Sequence, residues 1–270
     1  MARLAGKVAF ITGVARGQGR AHAVRLASEG ADIVGVDLAE ELPGVPYDSA
    51  TADDLAETVA LVEAQGRKAI LRQGDVRDLD GLKSLAQEAV TQLGGLDVVV
   101  ANAGICIPAT WDEATPQMFK DTMDINVTGV WNTVMATAPH LVTRGGGSVI
   151  LISSSAGKKM QPFMVHYTTS KHAVTGMTRA FAAELGAHSI RVNSVHPGAV
   201  MSPMGSGNMR ERIAETAASN PLLASMNSSM LQKWAAEPDE IANAVAFLAS
   251  DESSFMTAEH VTIDGGAQYF

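Results

Sequence analysis

Seven short runs rich in β-branched residues recur along the chain, and their spacing limits the fold more than any other feature. They are KVAFIT (7–12), DIVGVD (32–37), KAILRQ (68–73), LDVVVA (96–101), GSVILIS (147–153), IRVNSV (190–195) and HVTI (260–263). Most are nearly continuous in apolar residues, as in parallel strands covered on both faces. Amphipathic helical segments lie between them. Thr51 with Asp54 three positions on has the form of a capping box, Leu55, Val59 and Val62 make a stripe, and Gly66 supplies a stop. Repeated βα units of this kind predict an α/β fold: a doubly wound, mainly seven-stranded parallel sheet with helices on both faces, in a single domain over residues 1–270.

The alternation breaks twice. VGVDLAEELPGVPYDSATADD (34–54) holds thirteen residues without periodicity between Asp37 and Thr51, and a second irregular stretch runs from Met201 to about Trp234. Loops this long in a compact domain are functional or disordered. With 46% hydrophobic residues, no segment has the composition of disorder.

Charge and cysteine usage remove several classes. Twenty-nine carboxylates against 20 Lys plus Arg, with no cationic run, exclude a nucleic-acid partner. Cys106 is the single cysteine, so no disulfide forms within the chain, which fits a reducing compartment. MARLAGKVAFITG is too short in apolar residues for a secretory signal, and no run reaches the ~18 apolar residues that span a bilayer. The expectation is a cytoplasmic protein without a membrane partner. No HExxH or comparable spacing among the seven histidines suggests a metal, and without a G-x-S-x-G elbow His166 does not point to a hydrolase.

The first strand runs into Thr12-Gly13-Val14-Ala15-Arg16-Gly17-Gln18-Gly19 and then a helix. Glycines there let the backbone turn sharply and approach a pyrophosphate at a positive helix end. The usual fingerprint is not met, because His22 stands at its third glycine. Asp37 ends the second strand eighteen residues after Gly19, close to the ~20 expected of a carboxylate that grips the adenosine ribose. A carboxylate there repels a 2′-phosphate and favours NAD over NADP. Arg16 argues the other way, but Asp37 is nearer the discriminating atoms.

At the other end of the chain, VHYTTSKHA places Tyr167 and Lys171 four apart, on one helix face. Taken alone, this is a ring against an ammonium stem. Ser154 follows the fifth run by a polar turn, and Asn126, in MDINVTG, sits in an otherwise helical stretch where Asn is mildly disfavoured. Ala101-Asn102-Ala103-Gly104 closes the fourth run, at the carboxyl edge where such sheets bind ligands.

In this order, TGxxxGxG, ANAG, Asn126, Ser154, Y-x-x-x-K and Pro197-Gly198 resemble the classical short-chain dehydrogenases/reductases over essentially the whole chain. The resemblance implies a Rossmann-type sheet and a tetrad. In it Tyr167 is general acid/base on the substrate oxygen, Ser154 holds that oxygen, Lys171 binds the nicotinamide ribose and Asn126 keeps a relay water. It further implies that Gly13, Gly17 and Gly19 shape the pyrophosphate turn, Asp75 and Val76 flank the adenine, Asn102 lies by its ribose and Ser202 meets the carboxamide. Arg16, Gln18, Leu38, Ala103, Gly104, Pro197, Gly198 and Val200 complete the implied cofactor set. A free tyrosine, with pKa near 10, is a poor base, and lowering it by about 3 units takes roughly 4 kcal/mol. Lys171 and the positive nicotinamide are suitable sources.

The family places a substrate lid after Pro197-Gly198. Residues 201–235 carry Met201, Met204, Met209, Met226, Met230 and Trp234, an apolar and deformable set. Met204, Trp111, Phe163 and Ser154 are the expected substrate pocket, for a bulky apolar secondary alcohol or its ketone. The long stretch after Asp37, with Gln18 in TGVARGQGR, is similar to the carveol-dehydrogenase-like, mycofactocin-coupled branch. That implies a terpene-like alcohol, NAD held as a fixed group, and a separate redox carrier that reoxidises it. Residues 38–50, stiffened by Pro43 and Pro46, then become a cover over the cofactor rather than a surface insertion. A homotetramer through helices around 115–142 and 166–187 is also implied. Two alternatives stand beside this reading: an NADPH-dependent 3-oxoacyl-carrier reductase, which Asp37 opposes, and a dinucleotide sensor, which has no need of the tetrad.

Overall fold

A computed structural model describes residues 2–205 and 207–269. Among the described residues seven strands follow in chain order: β1 (Val8–Thr12), β2 (Asp32–Asp37), β3 (Ala69–Gln73), β4 (Val98–Ala101), β5 (Gly147–Ile152), β6 (Ile190–Pro197) and β7 (His260–Ile263). Every pairing is parallel, in the order β3-β2-β1-β4-β5-β6-β7. The winding reverses between β1 and β4. That switch point opens a crevice beyond the carboxyl ends of the strands.

Alternation along each strand builds two apolar layers. Val8 and Phe10 face the layer of α3 (Leu79–Leu93), α5 (Gly129–Arg144) and α6 (Val165–Leu185), where Leu85, Val134 and Val174 meet them. Ala9 and Ile11 face the layer of α1 (Gly17–Ser28), α2 (Ala52–Glu63) and α9 (Pro238–Ala249), against Leu26, Val62 and Val245. The remaining helices, α4 (Pro116–Met123), α7 (Asn208–Ala218) and α8 (Pro221–Ala224), sit at the crevice end or lead into the elements that border it.

The strand runs expected from sequence match with small shifts. β4 starts at Val98 rather than Leu96; just before it, Asp97 N donates to the Val8 carbonyl (3.0 Å) and the Asp97 carboxylate accepts from Val8 N (2.9 Å). β6 runs two residues further, through His196 and Pro197, since β7 pairs alongside as far as Ile263. The Thr51 capping box is formed, with Thr51 Oγ1 accepting from Asp54 N (3.2 Å) and Asp54 Oδ2 from Thr51 N (2.9 Å). Asn126 is not in a regular helix. It lies in a π turn, Asp124–Thr128, that joins α4 to α5. Single wide turns of this kind recur at functional sites.

Candidate active site

The glycine turn is shaped by close contacts of the chain with itself. A Cβ on Gly19 would lie 1.8 Å from the Gly13 carbonyl oxygen, and one on Gly13 (φ +68°) 2.9 Å from Ala103 Cα. Both glycines therefore serve the closure of the turn and its approach to β4. Gly17 is different: its φ is +55°, and a Cβ there would face Ser202 and Pro203 across the crevice at 3.5 Å. It is the turn glycine whose backbone stays open to the crevice. His22 is fully buried on α1, both ring nitrogens lack a partner among the described residues, and burial drives its pKa down to about 3. A neutral imidazole thus packs where the usual fingerprint has glycine.

Polar side chains tie this turn to its neighbours. Thr12 Oγ1 accepts from the N–H groups of Asn102 (3.0 Å) and Ala103 (3.1 Å), and Asn102 Nδ2 donates to the carbonyls of Thr12 (2.9 Å) and Gly13 (3.1 Å). Asn102 thereby staples the two strands at the switch point. Asp37 Oδ2 accepts from Ala15 N (2.9 Å) and Oδ1 from Ala39 N (3.1 Å), so one carboxylate fixes both the turn and the start of the long loop. Arg16 donates to the Asp48 carbonyl in that loop, which turns its guanidinium away from the role of a free phosphate anchor. Asp75 is held by Arg77 Nε (2.8 Å), and Val76 packs beside Gly129. Gly13, Arg16, Gly17, Gln18, Gly19, Asp37, Leu38, Asp75, Val76, Asn102, Ala103, Gly104 and Ser202 all line the crevice. Pro197, Gly198 and Val200 line the adjoining cavity instead.

Residues 38–50 fold over this crevice. Leu42 and Val45 pack on the core, Ser49 Oγ accepts from Leu42 N (3.1 Å), and Tyr47 points inward. The Tyr47 ring packs with Cys106, Met164 and Met209, and its hydroxyl accepts from Cys106 N at 3.4 Å. Sequence reasoning missed Tyr47. The available signal was an aromatic residue beside Pro46 in an otherwise polar stretch.

Ser154 lies two residues beyond β5 and caps a short 3-10 turn, with Oγ accepting from Ala156 N (3.1 Å). Tyr167 and Lys171 lie one turn apart on α6, with Lys171 Nζ 5.6 Å from the Tyr167 ring centre. Lys171 Nζ donates to the Ile152 carbonyl (3.0 Å), and Ser153 Oγ donates to the Lys171 carbonyl (3.0 Å), which docks α6 on β5. Asn126, wholly buried, grips the chain after β4: Oδ1 accepts from Ile105 N (2.8 Å), and Nδ2 donates to the Ile105 carbonyl (2.9 Å) and Ser170 Oγ (3.1 Å). A Cβ on Gly104 would stand 3.2 Å from Asn126 Oδ1 and 3.5 Å from Lys171 Nζ. The four tetrad residues thus gather at the carboxyl edge of β4 and β5.

Burial sets the charges in this chamber. It raises the Tyr167 phenol well above its ordinary range, the nearby Cys106 thiol adds to the rise, and the Ser154 hydroxyl works against it. It lowers the Lys171 ammonium to about 8. The Cys106 thiol is pushed up to about 12, so it is a neutral wall residue and not a nucleophile. His166 Nε2 meets the Ile107 carbonyl at 2.6 Å, and burial lowers its pKa; it braces the segment after β4.

Beyond Ser154 and Tyr167 opens a second cavity of about 630 Å³, walled mainly by apolar groups that include Met164, Met204, Met209, Ile213 and Trp234. Gln18, Ser202 and Met204 border both spaces, and Gln18 Oε1 is buried without a partner among the described residues. Lys159 Nζ donates to the carbonyls of Met226 and Ala267 along the far rim. Two expected pocket residues are not brought here. Trp111 is 85% exposed, on a turn closed by the Ala114 N to Thr110 O bond. Phe163 adopts φ +60° with its carbonyl accepting from Ala109 N (2.8 Å), and the next residue, Met164, reaches the cavity wall in its place.

The comparisons agree with this geometry. Residues 13–268 match a family model described as enoyl-(acyl carrier protein) reductase. A short-chain dehydrogenase from Mycobacterium paratuberculosis, solved bound to NAD, is 58% identical with a TM-score of 0.98, covering 99% of this chain and 100% of that one. Carveol dehydrogenase from Mycobacterium avium, solved with NAD, is 42% identical with a TM-score of 0.92 over 99% of each chain. The (-)-trans-carveol dehydrogenase of Rhodococcus erythropolis is 41% identical over 98% of this chain and 99% of its own. Motif order, the gathered tetrad and these likenesses together make the chain a member of the classical short-chain dehydrogenase/reductase family.

Proposed function

We propose that the chain is an NAD-dependent dehydrogenase that interconverts a bulky apolar secondary alcohol of the terpene type and its ketone. One observation carries the reading: Ser154 and Tyr167 line a methionine-walled cavity of about 630 Å³ that adjoins, across Gln18, Ser202 and Met204, the crevice at the glycine turn. The residues fit NAD. Gly17 leaves the backbone at the start of α1 open to a pyrophosphate, Asp37 bars a 2′-phosphate, and Arg16 is engaged by the loop. NAD-bound relatives and the carveol dehydrogenases support the cofactor and the substrate class.

Bound in the crevice, NAD would supply the acceptor for the hydride that leaves the alcohol carbon. The remaining work falls to the chain. Ser154, with a lone pair already given to Ala156 N–H, keeps its proton to donate to the substrate oxygen. Tyr167 takes the hydroxyl proton as the carbonyl forms, and Lys171 stabilises the phenolate. Asn126, by clamping Ile105, holds the π turn in which a relay water sits. Residues 201–235 act as the substrate lid and residues 38–50 as the cofactor cover, so that NAD stays in place and a separate redox carrier restores it. No helix among the described residues is long and apolar enough to cross a membrane, and we place the enzyme in the cytoplasm. Exposed Trp131, Met135 and Val165 on α5 and α6 support a homotetramer through those helices. The test is carveol oxidation by purified enzyme with NAD, set beside a small hydroxy acid. Clear preference for carveol supports the reading, and equal rates defeat it.

A further inference from the structure

We propose that His196 is a positioning residue for Ser154. In this view a one-way chain of hydrogen bonds, His260 to Ser194 to His196 to Ser154, fixes the peptide plane from which the Ser154 hydroxyl meets the substrate oxygen. His196 is wholly buried near the end of β6. Its Nδ1 lies 2.8 Å from the Ser154 carbonyl oxygen and its Nε2 2.8 Å from Ser194 Oγ, which in turn lies 2.8 Å from His260 Nδ1. The two rings meet edge to face at 5.4 Å.

The chemistry of one end orders every proton in the chain. A backbone carbonyl only accepts, so His196 Nδ1 carries a hydrogen. Burial holds this ring neutral, with a pKa lowered to about 4; the bond to the Ser154 carbonyl opposes that shift, and His260, Lys158 and Lys171 add to it. A neutral ring protonated at Nδ1 has a lone pair at Nε2, so Ser194 donates to it. Ser194 Oγ then accepts from His260 Nδ1–H. His260 faces Arg179 and Lys158, with Glu259 beside it, and keeps this donor in either charge state. All three protons point towards Ser154.

The same carbonyl also accepts from Gly157 N (2.9 Å) across the 3-10 turn. The peptide after Ser154 is therefore pinned from its own turn on one side and from β6 on the other. His196 lines neither the crevice nor the substrate cavity, so its influence on the reaction runs through Ser154.

The kinetic arm of the test rests on the proposed alcohol dehydrogenase activity. Asparagine can place an amide donor near the position of Nδ1, glutamine near that of Nε2, and leucine supplies neither. With NAD-loaded enzyme and carveol, His196→Leu and His196→Gln should lower kcat about tenfold, with KM, melting temperature and dinucleotide content close to wild type. His196→Asn should recover most of that loss. The proposal is overturned if His196→Asn falls as far as His196→Gln in folded protein, or if neither loses kcat. Should His196→Leu fail to fold, the Asn/Gln pair makes the same comparison. A substrate-free arm uses nitrogen NMR of histidine-labelled wild-type enzyme, which should show His196 as the neutral Nδ1–H tautomer between about pH 6 and 8. An Nε2–H tautomer or an imidazolium there also overturns it. If wild-type enzyme oxidises no apolar alcohol, the functional reading alone fails, and the tautomer decides this one.

Discussion

Tyr167 and Lys171 are buried neighbours, and burial moves them in opposite directions, each towards its neutral form. At about 8 the Lys171 ammonium still keeps its charge at neutral pH, so a neutral phenol stands beside a cation, and a positive nicotinamide would favour the phenolate further. Tyr167→Phe should retain wild-type dinucleotide content and lose about 10³-fold or more in kcat; wild-type-like turnover in that variant would remove Tyr167 from the chemistry. Lys171 also leaves a trace in stability. Its folded pKa of about 8 lies below the ordinary 10.5, so between those values the unfolded chain binds the extra proton and stability rises with pH. Above pH ~10 the raised Tyr167 phenol reverses the trend, because the folded chain then holds the extra proton. Cofactor-free wild type should therefore gain on the order of 2 kcal/mol relative to Lys171→Met from pH ~8 to ~10 in denaturant titrations. A flat difference would show that Lys171 keeps its proton across that range and that its pKa is not lowered in the apo fold. Asp37 serves the fold beside its proposed role at the ribose: Asp37→Ala frees two backbone N–H groups. It should cost roughly 1–3 kcal/mol of stability in addition to NAD retention, readable by denaturant melts of the apo protein.

Among the elements, the glycine turn has the least tolerance. Gly19→Ala would drive a methyl into the Gly13 carbonyl, and a soluble, fully NAD-loaded variant would contradict the contact. The expected outcome is loss of about 3 kcal/mol or more, seen as a lowered melting temperature and poor recovery. The loop over residues 38–50 makes a separate prediction. Shortening 40–48 while keeping Asp37 should turn retained NAD into dialysable NAD, because the change removes Tyr47 and the wall that Leu42 and Val45 brace. Unchanged retention would reduce the stretch to a surface insertion. The strands were legible in the sequence because double-sided burial writes continuous apolar runs, and the Thr51 cap because its box is local. The π turn at Asn126 was not, since widening a helix by one residue per turn leaves no mark on composition. Nor was the pocket wall. Whether Phe163 or Met164 faces the cavity depends on one backbone torsion, and the inward turn of Tyr47 depends on contacts with Cys106 and Met209 far along the chain.

At the scale of the whole molecule, strand order settles where chemistry can happen. β1 and β4 part at the switch point, and the Thr12–Asn102 staple fixes that mouth. Everything that would touch a dinucleotide or an alcohol projects from this one edge, so the fold class and the tetrad could be read together from motif order. The cofactor's identity and retention are properties of the intact protein. Denaturing freshly purified, dialysed enzyme should release NAD, identified by mass; NADP in its place would show that Asp37 does not set the choice. Light scattering should give a tetramer's mass, and Trp131→Glu, which charges an exposed face of α5, should lower it.

Tyr47 has a consequence for anyone who sets out to redesign this enzyme. It hangs from the loop that roofs the crevice, yet its ring forms part of the same cluster as Met164 and Met209. A mutant library restricted to residues 201–235 would leave Tyr47, which lines the crevice and backs the cavity wall at Met164 and Met209, unexplored. A library that includes Tyr47 would retune how fast the dinucleotide leaves at the same time as it retunes which alcohol enters. On the proposed function, selectivity and cofactor retention would shift together, and a screen has to measure both to know which of them it has changed.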